Sequence, residues 1–263
     1  MSWIEAIIIA IVEGLTEFLP ISSTGHMIIT QSVLGVPSTD FVKAFTVIIQ
    51  FGAILSVIVL YWKRFFRTLD FYYKLIVGFI PAGVLGLLLS DYIDRLLESV
   101  TVVAIMLILG GVLMLFVDKW FNKPKENSDV TYKNAFIIGL FQCIAMIPGV
   151  SRSMATIVGG MSRGLSRKSA AEFSFFLAVP TMAAATGYKL LKLFSSEEGF
   201  EMLKENIGVL IIGNIVAFIV ALLAIKIFLE FVTKYGFKLF GWYRIVLGTV
   251  ILLLMLIGYN LTI

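Results

Sequence analysis

The chain has 263 residues, 59% hydrophobic and only 14% charged, whereas soluble domains run near 25% charged, so a water-soluble fold is excluded. A formal net charge of +4, with the basic residues in short clusters between apolar runs, excludes a nucleic-acid partner and fits loops on one side of a membrane. Lone Cys143 excludes an intramolecular disulfide and a cysteine-based metal cluster.

In chain order, no Lys or Arg precedes the first apolar stretch, so a cleavable signal peptide is not expected. The first apolar region, residues 3–34, is interrupted near its middle by Pro20-Ile-Ser-Ser-Thr-Gly25. Residues 41–62, 72–90 and 100–120 then read as full membrane spans. A second interrupted region, residues 132–161, breaks at Pro148-Gly-Val-Ser-Arg-Ser153, and spans at 169–191, 207–231 and 240–259 follow. Each piece beside a break is too short to cross a bilayer comfortably. The pattern predicts hairpins that enter the membrane and leave on the same side, with a Pro-kinked spanning helix as the alternative.

The halves repeat. Residues 44–52 align with 172–180, 75–78 with 210–213, 107–110 with 245–248, and Pro20 and Ser23 fall opposite Pro148 and Ser151. The predicted fold is one all-α integral membrane domain over residues 1–263, made of two repeats, 1–122 and 131–263. Each repeat is a re-entrant hairpin plus three transmembrane helices. Because three is odd, the second copy is inverted, with its site near the midplane. Lys63, Arg64, Arg67, Lys74, Lys119, Lys123, Lys125, Lys133, Lys226, Lys234 and Lys238, with Arg163, Arg167 and Lys168, crowd one side. The other carries only Lys43, Arg95, Lys189, Lys192 and Lys204. The crowded side is expected to be cytoplasmic, with both termini outside and the hairpin tips meeting.

Ionisable groups inside the hairpins are the functional candidates, because charge at that depth is costly. Glu13 and Glu17 are four residues apart and share a helix face. Two such carboxylates repel unless a shared proton or a cation relieves them, and a hard divalent ion such as Mg2+ or Ca2+ would also bridge diphosphate oxygens. The chain's one histidine, His26, follows Ser22-Ser23-Thr24-Gly25, and a turn there would fold it back toward the carboxylates. Its near-neutral pKa suits acid, base or phosphoryl-acceptor work. The second break supplies Ser151, Arg152, Ser153 and Thr156. Arg152 has no acidic neighbour in sequence, and its planar fork fits phosphate. Both breaks also begin a short helix whose free N–H groups favour an anion. Close packing accounts for Gly110-Gly111 and Gly159-Gly160, and interhelical hydrogen bonding for Gln50, Gln142 and Asn214. Glu172 reads equally as a local ion-pair partner of Arg167 and Lys168 or as part of the site.

The motifs Glu13-Gly-Leu-Thr-Glu17-Phe-Leu-Pro-Ile-Ser-Ser-Thr-Gly-His26 and Pro148-Gly-Val-Ser-Arg-Ser-Met-Ala-Thr156 resemble those of the undecaprenyl-diphosphate phosphatases, also called bacitracin resistance proteins. The resemblance covers the whole chain. It implies hydrolysis of undecaprenyl diphosphate to undecaprenyl phosphate and inorganic phosphate. That reaction recycles the lipid carrier of cell-wall synthesis and confers bacitracin resistance. It also implies a divalent cation and action from the outer face of a bacterial plasma membrane. By the same resemblance Glu13 and Glu17 match the metal or acid–base carboxylates, Ser23 and His26 the two candidates for nucleophile or base, and Arg152 the phosphate clamp. Ser22, Thr24, Gly25, Ser151, Ser153 and Thr156 match supporting, substrate-binding positions.

The expected partners are a polyprenyl diphosphate and membrane lipids, with homo-oligomerisation left open. A transporter or flippase is the main competing reading, since inverted repeats with broken helices also build secondary transporters. A scaffold without chemistry is the third.

Overall fold

A computed structural model describes residues 1–65, 68–89, 92–93, 96, 99–121, 130–259 and 261. The expected basic residues Arg67, Arg95, Lys123 and Lys125, and the end of the second expected span at Ser90, lie outside these. Every regular element among the described residues is helical.

The first half holds α1 (Trp3–Thr16), α2 (Ser23–Leu34), α3 (Asp40–Leu60), the short α4 (Trp62–Phe65), α5 (Leu69–Leu88) and α6 (Val100–Trp120). The second holds α7 (Tyr132–Ile144), α8 (Arg152–Ser162), α9 (Arg167–Phe194), α10 (Glu197–Glu205), α11 (Ile207–Tyr235) and α12 (Lys238–Leu256). Side-chain caps mark several starts. Ser2 and Glu5 form a capping box on α1, while Thr39, Ser99, Thr131 and Ser166 accept from the first turns of α3, α6, α7 and α9. Gly35, at φ 66°, ends α2 in the left-handed conformation.

Among the described residues five helices, α3, α5, α6, α11 and α12, are long and apolar enough to cross a membrane. The protein is a multi-pass helical membrane protein. The fourth expected span corresponds to α9, which has 28 residues but is less apolar. It packs against α3, α5, α8 and α11, so protein rather than lipid shelters much of its polar surface. Each interrupted region is a helix–break–helix pair, with α1 packed on α2 and α7 on α8.

Contacts between the halves come in matching pairs. α1 lies along α11 as α7 lies along α5, α3 meets α11 as α9 meets α5, and α6 meets α12. Glycine permits the closest approaches. A Cβ on Gly14 would stand 2.7 Å from the Ala217 carbonyl oxygen, and one on Gly139 would stand 2.2 Å from that of Gly78. The expected packing roles of the glycine pairs are met, with Gly111 against Gly241 and Gly160 against Ala170. The expected polar contacts appear for Asn214, which accepts from the Gly52 N–H at 2.8 Å, and for Gln142, which donates to Thr181. Asp118 accepts from Arg167 and from the Phe237 N–H, tying α6 to the start of α12. Glu172 lies beside the Tyr61 side chain.

Two glycine-to-alanine changes should therefore have opposite signs. Gly139→Ala drives a methyl into backbone and should cost about 1–3 kcal/mol, as overpacking does. Gly187→Ala, inside α9 with nothing within 4 Å of its Cβ, should stabilise by about 0.5–1 kcal/mol. Thermal unfolding of both purified variants in detergent checks this, and equal effects would refute the packing assignment.

Candidate active site

The two breaks share an unusual backbone. Ser22 at φ 69° and Ser151 at φ 75° are the non-glycine residues with positive φ among those described. Such conformations cost of order 1–3 kcal/mol each and persist only where the surroundings impose them. Each serine immediately precedes its helix, so Ser23 begins α2 and Arg152 begins α8. By conformation Ser22 corresponds to Ser151 and Ser23 to Arg152. The expected pairing of Ser23 with Ser151 is thus off by one, because the second break has one more residue between its proline and its serine.

These two first residues meet on one carboxylate. Ser23 Oγ donates to Glu17 Oε2 at 2.8 Å, while Arg152 Nη2 and Nε donate to Glu17 Oε1 at 3.1 and 3.4 Å. Arg152 Nη1 donates to the Ser174 carbonyl at 3.0 Å, and the guanidinium lies 5.9 Å from the Phe18 ring centroid. Arg152, which has no acidic neighbour in sequence, has an acidic partner from the first break. Glu13, one helical turn before Glu17, is buried beside it, and its Oε1 has no partner.

The remaining candidates divide. Thr156 Oγ1 donates to the Arg152 carbonyl and shares a 2.7 Å hydrogen bond with Ser174 Oγ, bracing the start of α8. Ser153 is fully buried beside them with its hydroxyl unpartnered. Ser151 spends its hydroxyl capping Met154 N–H. Ser22 makes no such cap, leaving the first N–H groups of α2 without one. Gly25 packs against Leu107, where a Cβ would stand 2.9 Å from a methyl, so it has a packing role. Thr24 is half-buried on the first turn of α2.

His26 does not fold back onto the carboxylates. Its Nδ1 bonds the Ser22 carbonyl at 2.8 Å and its Nε2 the Tyr243 hydroxyl at 2.6 Å, with the two ring planes 9° apart.

Sequence reasoning missed Tyr243, Ser174 and above all Arg244. Arg244 is fully buried on α12. Its Nη1 donates to the carbonyls of Pro20 and Val150, its Nη2 to Gly149 and Met106, and its Nε to Leu107. It therefore binds the main chain of both breaks at once. The signal was present: an arginine inside a predicted span, subject to the same rule that singled out Arg152.

An apolar recess of about 770 Å³ between α3, α10 and α11 is lined by Phe51, Leu55, Phe200, Ile211 and Ile215. None of the candidate residues lines it. Among the described residues no group of three or more His, Cys, Asp or Glu converges on a metal position. The Glu13–Glu17 pair remains a fitting donor set for a hard cation, because one buried carboxylate oxygen stands unpartnered and Mg2+ commonly binds through one or two carboxylates plus substrate phosphates.

Known proteins share this chain's length and sequence. An undecaprenyl-diphosphatase of Flavobacterium johnsoniae is 60% identical over 266 residues, covering 100% of both chains. One of Flavobacterium psychrophilum is 62% identical over 262 residues, covering 100% of this chain and 99% of its own. One of Aquifex aeolicus is 49% identical over 250 residues, covering 94% of this chain and 96% of its own. The family model described as "Bacitracin resistance protein BacA" matches residues 6–250, a range that contains both breaks and Arg244, and the chain belongs to that family.

Proposed function

We propose that this chain hydrolyses undecaprenyl diphosphate to undecaprenyl phosphate and inorganic phosphate, with Ser23 as nucleophile and Glu17 as its base. The observation that carries this is the Glu17 carboxylate, which receives the Ser23 hydroxyl on one oxygen and the Arg152 guanidinium on the other. A nucleophile hydrogen-bonded to its base and set beside a cation is what phosphoryl transfer requires. His26 is the weaker nucleophile, since both its ring nitrogens are engaged.

Ser23 Oγ bonds the terminal phosphorus while its proton passes to Glu17 Oε2. The bond from that phosphorus to the bridging oxygen breaks, and undecaprenyl phosphate leaves. Glu17 gives its proton to the oxygen of the departing undecaprenyl phosphate, takes one from the water that attacks phosphoserine, and returns it to Ser23 Oγ as inorganic phosphate departs. Among the described residues Arg152 uses three of its five N–H groups on Glu17 and Ser174, so two remain for phosphate oxygens. The first N–H groups of α2 point to the same kind of ligand. Glu13 and Glu17 would hold the divalent cation, Mg2+ or Ca2+, which when bound neutralises diphosphate charge.

The same reading covers topology. The two broken pairs are re-entrant hairpins of an inverted repeat, α9 is the sixth span, and the site opens to the outer face of a bacterial plasma membrane. The matched contacts between halves and the paired serine conformations support this, as does the crowding of Lys and Arg on one side. In a Cys143→Ala background, a cysteine introduced by Lys133→Cys should stay unlabelled by an impermeant reagent in intact cells. Labelling there would overturn the orientation.

Phosphate release in detergent, where no second compartment exists, separates hydrolysis from transport. Glu17→Gln should lower kcat by at least roughly 10²-fold, the lower range for losing a general base. Arg152→Lys keeps the charge and loses the fork, and should cost kcat roughly 10²-fold as well. Near wild-type turnover in either variant would remove that residue from the chemistry.

Chelation should abolish phosphate release and added Mg2+ should restore it. Glu13→Gln should raise the Mg2+ concentration for half-maximal rate by more than roughly tenfold, since one of few ligands is lost. An unchanged metal requirement would place the ion elsewhere.

A further inference from the structure

We propose that Tyr243 is a positioning residue for this reaction, acting through His26 on the Ser22–Ser23 break. The inference rests on the assignment of Ser23 as nucleophile. A carbonyl oxygen can only accept, so the 2.8 Å contact with Ser22 places the proton of the neutral imidazole on Nδ1. The lone pair is then on Nε2, and the Tyr243 hydroxyl donates to it at 2.6 Å. The ring planes are 9° apart with centroids 5.5 Å apart, near-coplanar as an in-plane hydrogen bond requires, so the tyrosine fixes both the plane and the polarity of the imidazole.

The imidazole in turn holds the carbonyl of Ser22, the strained residue directly before Ser23. On the other side of the same break the Pro20 carbonyl is held by Arg244. Consecutive residues of α12 thus grip the break at both ends, Arg244 directly and Tyr243 through His26. Ser22 makes no side-chain cap of its own, unlike Ser151 in the second break. Arg244 holds carbonyls of both breaks, but only the first lacks a serine cap, and there the His26–Tyr243 pair holds the Ser22 carbonyl. Tyr243 is 44% exposed, so its hydroxyl serves no packing requirement that Phe would fail.

His26 is the chain's one histidine, so 15N-imidazole resonances of the purified full-length protein in detergent report on it without ambiguity. The wild type should show a protonated Nδ1 and an Nε2 lone pair engaged in a hydrogen bond. In Tyr243→Phe, which keeps the ring and removes the hydroxyl, the Nε2 signal should move to the position of an unbonded nitrogen. Its kcat for phosphate release should fall roughly tenfold, the worth of one hydrogen bond, with KM nearly unchanged. Tyr243→Leu, losing the ring as well, should lose more. An Nε2 signal identical in wild type and Tyr243→Phe overturns the His26–Tyr243 link whatever the protein releases. A moved signal with unchanged kcat overturns the positioning role. Failure of the wild type to release phosphate, whatever the spectrum, overturns the phosphatase reading instead.

Discussion

A helix broken inside an apolar layer exposes carbonyl groups that hydrocarbon cannot satisfy. In this protein the breaks in both halves solve that problem on one side chain. A guanidinium has five N–H donors, and each of the five hydrogen bonds of Arg244 ends on a main-chain carbonyl, of Pro20, Val150, Gly149, Met106 and Leu107. The neighbouring sequence is shaped to admit it. A Cβ at Gly110 would stand 2.3 Å from Arg244 Nη2, and one at Gly149, where φ is +89°, would stand 2.4 Å from the Val103 carbonyl oxygen. α6 and α12, which pack closely through Gly111, Gly241 and Gly248, form the frame from which both breaks hang.

The two buried arginines divide structure from chemistry. Arg244 has spent its donors on backbone and meets no carboxylate among its hydrogen-bond partners. Arg152 has an ion-pair partner in Glu17 and donors to spare. Burying such a pair gives little net stability, but removing one member leaves an uncompensated charge. This changes the physical expectation for Arg152: its charge is balanced in the resting protein by the same carboxylate that binds the Ser23 hydroxyl. On the proposed mechanism, an arriving diphosphate would compete with Glu17 for the guanidinium, and loosening that pair would leave Glu17 a stronger acceptor for the Ser23 proton.

Much of this was legible in the sequence because it follows from rules of cost. Apolar length located the helices, and the proline-serine clusters at 20–25 and 148–153 located the breaks. Glu13, Glu17 and Arg152 stood out because charge at such positions is expensive. What failed were inferences about partners across the fold. Nothing near Arg152 in sequence announces Glu17, 135 positions earlier, and nothing beside His26 announces Tyr243, 217 positions later. The expected return of His26 to the carboxylates assumed a local turn, where a distant helix supplied the contact. The serine register was misread because the prolines were matched, whereas the backbone matches by φ. α9 is less apolar than the other long helices because much of it is covered by protein, so hydropathy alone understates its place at the centre.

Strain and placement are connected in this arrangement. A serine at φ near +70° is unfavourable, and two of them would relax if the carbonyls beside them were free. Arg244 holds those carbonyls, and the break at Ser22 and at Ser151 puts the next residue of each half at the start of a helix. That is how Ser23 from one half and Arg152 from the other reach a single carboxylate. A continuous helix through either region would carry its hydroxyl or guanidinium past Glu17 along a cylinder, with its N–H groups closed by its own turns. The broken helix delivers a side chain and uncommitted N–H donors to the same point. For a charged phosphate brought in on a lipid tail, that combination substitutes for the water it leaves behind.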